Sequence, residues 1–140
     1  MTAELVLQRD LDAPPERVWR ALTDPAALTA WFWPPRLEPA AEVDLAVGGG
    51  YRIDGPGAGI AVSGRYLELD PPHRLACTWS WDGEDAETLV TVELVPSGEG
   101  GTGLALRHEG FADDATRDDH IQGWTDCLDR LPDWLASARG

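Results

Sequence analysis

The side chains with chemical potential in this chain are three histidines, two cysteines and an unusual number of tryptophans. His73, His108 and His120 lie far apart and share no metal-ligand spacing, so no metal and no other cofactor is expected. Ser63 and Ser80 lack the glycines of a nucleophile elbow. "VGGGY" (47–51) has no following lysine and sits between strand-like runs, which makes it a bulge or hairpin and not a phosphate loop. Cys77 and Cys127 fall on apolar faces, where a thiol behaves as a small hydrophobe. His73 falls in a turn and is assigned to the surface. His108 and His120 are the weak catalytic candidates: each is read first as a satisfied core or rim histidine, and second as a ligand hydrogen-bond partner or general base. Arg65 reads as a surface charge, and Glu68 as either that or a polar contact.

The aromatic residues carry the stronger signal. Trp31, Phe32 and Trp33 stand in a row before Pro34-Pro35, and Tyr51, Tyr66, Trp79, Trp81, Phe111 and Trp124 come from other segments onto inward or capping positions. Each such ring buries roughly 150–250 Å², and indole and phenol keep a polar atom that needs a partner. A plain core favours Leu, Ile, Val and Phe, whereas this chain has seven Trp and two Phe. Aromatic walls with few polar atoms characterise small-molecule pockets; a tryptophan-rich core is the competing reading. The candidate ligand-binding set is these nine residues with His108, His120 and Leu128. Trp19 is read as purely structural.

These residues need elements to position them. "AELVLQRDL" (3–11) alternates, with Leu5, Leu7 and Leu11 on one face, and predicts a strand. "DAPPERVWRALTDP" (12–25) changes to a helical period with Asp12 as its cap; Asp24-Pro25 then starts a second short helix over 25–32. Strands follow within 42–55, as two runs around Gly48–Gly50, then at 59–70, 74–81, 88–95 and 102–111. Leu75, Cys77, Trp79 and Trp81 share one face, as do Leu104, Leu106 and His108. The tail is one long amphipathic helix with Ile121, Trp124, Leu128, Leu131 and Leu135 at alternating three- and four-residue steps. Pro132 should kink or break it. Gly123, mid-helix, costs about 1 kcal/mol relative to Ala, which close packing or room left for a ligand would explain. Hairpin spacing makes the sheet antiparallel, and a single helix cannot fill its concave side unaided.

At 140 residues the chain suits one domain, spanning 1–140, that buries roughly two thirds of its unfolded surface. The net charge of −14, with every basic residue an isolated arginine, argues against nucleic acid or anionic membrane as a partner. No apolar run reaches the roughly 20 residues that span a bilayer. "MTAELVLQRD" lacks the regions of a signal peptide, and two cysteines fit a reducing compartment, so the expected location is cytoplasmic.

Five stretches, "APPERVWRALTDPAALTAWFWP", "VGGGYR", "VSGRYLELDPPHRLACTWSW", "TLVTVELVPSGEGGTGLALRHEGF" and "HIQGWTDCLDRL", together resemble bacterial proteins similar to the activator of the heat-shock-protein-90 ATPase, within the START-related SRPBCC superfamily. The resemblance covers nearly the whole chain. It implies an α+β helix-grip fold: a seven-stranded antiparallel sheet wrapped round the long C-terminal helix, with two short helices after the first strand. It also implies a cavity between sheet and helix. Relatives bind lipids, sterols, hormones or polyketides, and some act as cyclases or aromatases; no catalytic residue carries over. The expected function is binding of a hydrophobic small molecule, aromatic, polycyclic or lipid-like, by a carrier, sensor or sequestering protein that is a monomer or weak dimer. The alternatives are a cyclase- or hydrolase-like enzyme, and a co-chaperone-type module with a chaperone partner.

Overall fold

The first strand keeps the alternation of its sequence: in β1 (Ala3–Leu11) Leu5 and Leu11 are buried while Val6, Gln8 and Asp10 face solvent. The structure, a computed structural model, describes residues 2–137. α1 (Pro15–Thr23) and α2 (Pro25–Trp31) follow, then a turn of 3-10 helix at Pro35–Leu37. Asp24 caps α2 by accepting from the Ala26 N–H at 2.9 Å. The cap expected from Asp12 on α1 is absent: Pro14 holds the N-cap position in extended backbone and Pro15 occupies the first turn, so Asp12 lies outside the helix.

β2 (Ala40–Val43), β3 (Gly50–Gly55), β4 (Ile60–Asp70), β5 (Arg74–Trp81), β6 (Thr88–Ser97) and β7 (Gly101–Phe111) complete one antiparallel sheet in the order β1-β7-β6-β5-β4-β3-β2. Gly48 and Gly49 lie in the β2–β3 connection and Gly50 opens β3, with Gly48 at a φ of 87° that favours glycine. Gly64 of β4 has a steric reason to be glycine: a Cβ there would overlap the Thr78 carbonyl oxygen across the strand pair. The Tyr51 ring lies beside that position, and its hydroxyl donates to the same carbonyl at 2.5 Å.

α3 (Asp114–Ser137) crosses the concave face and buries Trp124, Cys127, Leu128, Leu131 and Leu135, the stripe read from the spacing. Its first turn is held by Asp113, which accepts from the Thr116 N–H at 2.7 Å; that bond keeps the Asp113 carboxyl below its ordinary range. Of the kink or break expected at Pro132, the break does not occur. The helix runs through it because Pro132 faces solvent while Leu131 and Leu135 are anchored, and Arg17 of α1 donates to the Leu135 carbonyl at 2.6 Å. This is the helix-grip architecture, and it brings inward residues of the strands, the end of α2 and one face of α3 together. Among the described residues no helix is long and apolar enough to cross a membrane.

Candidate functional site

Two spaces lie between the sheet and α3. The inner one, about 60 Å³, takes its walls from the three α-helices and from every strand except β1 and β2. Phe32, Tyr51, Tyr66, Trp79, Trp124 and Leu128 contribute to it, with aliphatic side chains of β3, β5, β6 and β7 completing a nearly apolar lining. The outer one, about 180 Å³, is walled by Phe32, Trp33, Trp79, Trp81 and Trp124, with Asp119, His120, Gly123 and Cys127 along α3. The two abut, since Phe32, Trp79 and Trp124 line both. The inner space is far smaller than the roughly 300–1,000 Å³ of drug-sized pockets. Aromatic side chains occupy much of the volume expected to be hollow.

The tryptophan run divides as its position at the end of α2 dictates. Trp31 is core: it lines neither space, and its indole N–H donates to the Ala21 carbonyl at 2.8 Å. Phe32 turns into the shared wall, and Trp33 reaches the outer space, parallel to Trp81 at a ring separation of 6.1 Å. Arg130 of α3 secures this segment by donating to the Trp31 and Phe32 carbonyls at 3.2 and 2.6 Å. Phe111 also lines neither space; it packs against His108 and His120 at 4.4 and 4.7 Å. Trp19, on α1, is buried outside both.

The histidines are closed into hydrogen-bond pairs. Trp124 Nε1–H donates to His108 Nδ1 at 3.0 Å, so the proton of the neutral imidazole sits on Nε2 and is given to Thr88 Oγ1 at 2.6 Å. The Thr88 hydroxyl passes its own proton on to the Trp79 carbonyl at 3.2 Å. His108 is fully buried; burial first, and the neighbouring His120 second, bring its pKa down to about 3. His120, half-buried at the outer rim, accepts from Trp81 Nε1–H at 2.9 Å and gives its Nδ1 proton to the Thr116 carbonyl at 2.8 Å. All four ring nitrogens are therefore engaged by the protein, and neither histidine presents a free lone pair to a substrate. Both thiols are buried, with burial pushing Cys77 and Cys127 up to about 12, far from a reactive thiolate. His73 and Arg65 are exposed, and Glu68 pairs with Arg74 at 3.0 Å on the outer surface.

Gly123 is not a close-packing glycine. A Cβ built there meets nothing within 4 Å, and the residue faces solvent at the rim of the outer space. Asp119 is a rim residue that the sequence reading missed; its position four residues before Gly123 on the same helix face would have revealed it. Thr88 was also missed. Nothing local marks it, because its meeting with His108 depends on the β6–β7 register.

The sequence profile of the Activator of Hsp90 ATPase homolog 1-like proteins matches residues 12–136. The chain belongs to this family. Its members fall within the SRPBCC superfamily, in agreement with the helix-grip fold seen here. A solved structure from Chromobacterium violaceum is 34% identical, covering 94% of this chain and 96% of that one, with a TM-score of 0.82. CalU16 from Micromonospora echinospora is 30% identical over 96% of this chain and 76% of its own, with a TM-score of 0.77. An Hsp90 activator from Plasmodium falciparum is 25% identical over 95% and 96%, with a TM-score of 0.79. A comparison with curated proteins finds no match.

Proposed function

We propose that this family member binds a hydrophobic small molecule between its sheet and α3, as a carrier, sensor or sequestering protein. The observation that carries the reading is the pair of abutting spaces walled by aromatic rings, with Gly123 on the lining of the outer one, where a Cβ would meet nothing within 4 Å. Size limits the guest. An apolar cavity of ~150 Å³ holds benzene, so the outer space with its inner extension suits a one- or two-ring molecule. A larger polycyclic or lipid-like guest requires Phe32, Trp79 or Trp124 to swing aside. The ligand-binding assignment applies to Phe32, Trp33, Trp79, Trp81, His120 and Trp124 at the outer space, and to Tyr51, Tyr66 and Leu128 at the inner one. An enzyme reading loses its acid–base candidates, because His108 and His120 have no nitrogen to spare.

A thermal-shift series of one- and two-ring aromatics tests this. A guest at 100 times its dissociation constant adds about 2.7 kcal/mol of stability. The variant Gly123→Phe should fold, since the added side chain points into open space, and should lose the shift. Absence of any shift across the series, or a shift that survives in Gly123→Phe, counts against this site. The family membership and the Plasmodium falciparum relative favour one second reading, a co-chaperone-type contact with Hsp90. Retention of Hsp90 on the immobilised protein, unaffected by Gly123→Phe, would support it.

A further inference from the structure

Of the four indoles that line the outer space, those of Trp33, Trp79, Trp81 and Trp124, two have their N–H paired: Trp124 with His108 and Trp81 with His120. That of Trp79 is buried and is not. Trp79 Nε1 is, among the described residues, the one buried side-chain nitrogen or oxygen without a hydrogen-bond partner. Trp79 is 7% exposed and is a wall of both spaces. Folding strips its N–H of water and returns nothing, which is a net loss wherever it occurs.

The surroundings explain why the protein does not supply an acceptor itself. Trp79 packs against Phe32, Trp81, Trp124, His108 and His120 at ring separations from 5.0 to 6.4 Å. Phe32 has no acceptor, the indoles only donate, and both histidines have spent their single acceptor nitrogen on other tryptophans. Thr88 Oγ1 already takes the His108 proton and donates to the Trp79 carbonyl. None of these neighbours has an acceptor left for the Trp79 N–H. Charge narrows the choice further: Arg130 is committed to the Trp31 and Phe32 carbonyls, and Asp119 sits at the rim, so an anion meets repulsion and no free cation.

We propose that Trp79 Nε1 anchors the guest, and that the guest is a neutral, flat one- or two-ring molecule carrying a ring carbonyl or an unprotonated ring nitrogen. This rests on the hydrophobic-guest reading and adds to it the polar group that the guest must present.

The test compares coumarin, which has a ring carbonyl, with naphthalene, which has the same two-ring outline and no acceptor. Naphthalene is the more hydrophobic, so the ratio of the two affinities is read rather than either alone. In Trp79→Phe the coumarin-to-naphthalene ratio should fall about tenfold from its value in the native protein, the worth of one buried hydrogen bond. In the native protein, coumarin should move the Trp79 indole N–H proton resonance downfield and naphthalene should not; this readout stands if Trp79→Phe fails to fold. A ratio unchanged within about twofold, with an indole proton indifferent to coumarin, overturns the anchor while leaving guest binding intact. Binding of neither probe overturns the guest-binding reading, and the anchor with it.

Discussion

Replacing His108 by glutamine removes a titration that the fold suppresses. In the native protein His108 is 0% exposed, accepts from Trp124 and donates to Thr88, and protonates only near pH 3. In the unfolded chain the same imidazole titrates at about 6.5. Between those values the unfolded state holds a proton that the folded state refuses, so stability is intact above about pH 6.5 and declines as the pH falls toward 3. The decline is about 1.4 kcal/mol per pH unit. From pH 7.5 to 4.5, where two units lie below the unfolded value, the loss from this residue is roughly 3 kcal/mol. Glutamine keeps one donor and one acceptor for Thr88 and Trp124 but cannot titrate. Urea unfolding of both proteins at the two pH values isolates the term, because carboxylate contributions cancel in the difference. The native protein should be the more stable at pH 7.5, and its advantage should shrink by roughly 3 kcal/mol at pH 4.5. A stability gap that stays constant across that range refutes the closed-pair description of His108.

Two further outcomes follow from close contacts. Gly64→Ala drives a Cβ into the Thr78 carbonyl and displaces the Tyr51 ring, and should cost about 3 kcal/mol in chemical denaturation; a loss under about 1 kcal/mol would mean that the β4–β5 pairing gives way easily. Arg130→Ala frees the Trp31 and Phe32 carbonyls at the end of α2 and should cost about 1.5 kcal/mol, with Arg130→Lys recovering less than half because an ammonium does not span both carbonyls; equal stability of the lysine variant would refute the two-carbonyl role.

Much of the architecture was legible in the linear order of residues. Alternation in β1, β5 and β7, the Asp24-Pro25 boundary and the stripe on α3 each depend on local periodicity or a cap, which act over a few residues. Pro132 does not end the helix because tertiary anchoring outweighs the local rule: Leu131 and Leu135 are buried, and the proline ring lies in solvent. The aromatic cluster was visible as composition, but its division was not. Trp31 and Trp33 are two residues apart; one hydrogen-bonds to α1 in the core and the other stacks on Trp81 at the rim.

The amino-acid sequence by itself determined the order and type of the elements, the absence of a metal or nucleophile motif, and the concentration of indole on inward faces. Only the tertiary structure decided which polar atoms are satisfied. Strand register sets Thr88 beside His108, and the path of α3 over the sheet sets Trp124 and His120 against their partners. Hydrogen bonding is short-ranged and directional, so no spacing in the chain foretells it. That is why seven tryptophans look alike in sequence, while in the fold Trp79, a wall of both spaces, is the one whose indole N–H is buried without an acceptor among the described residues.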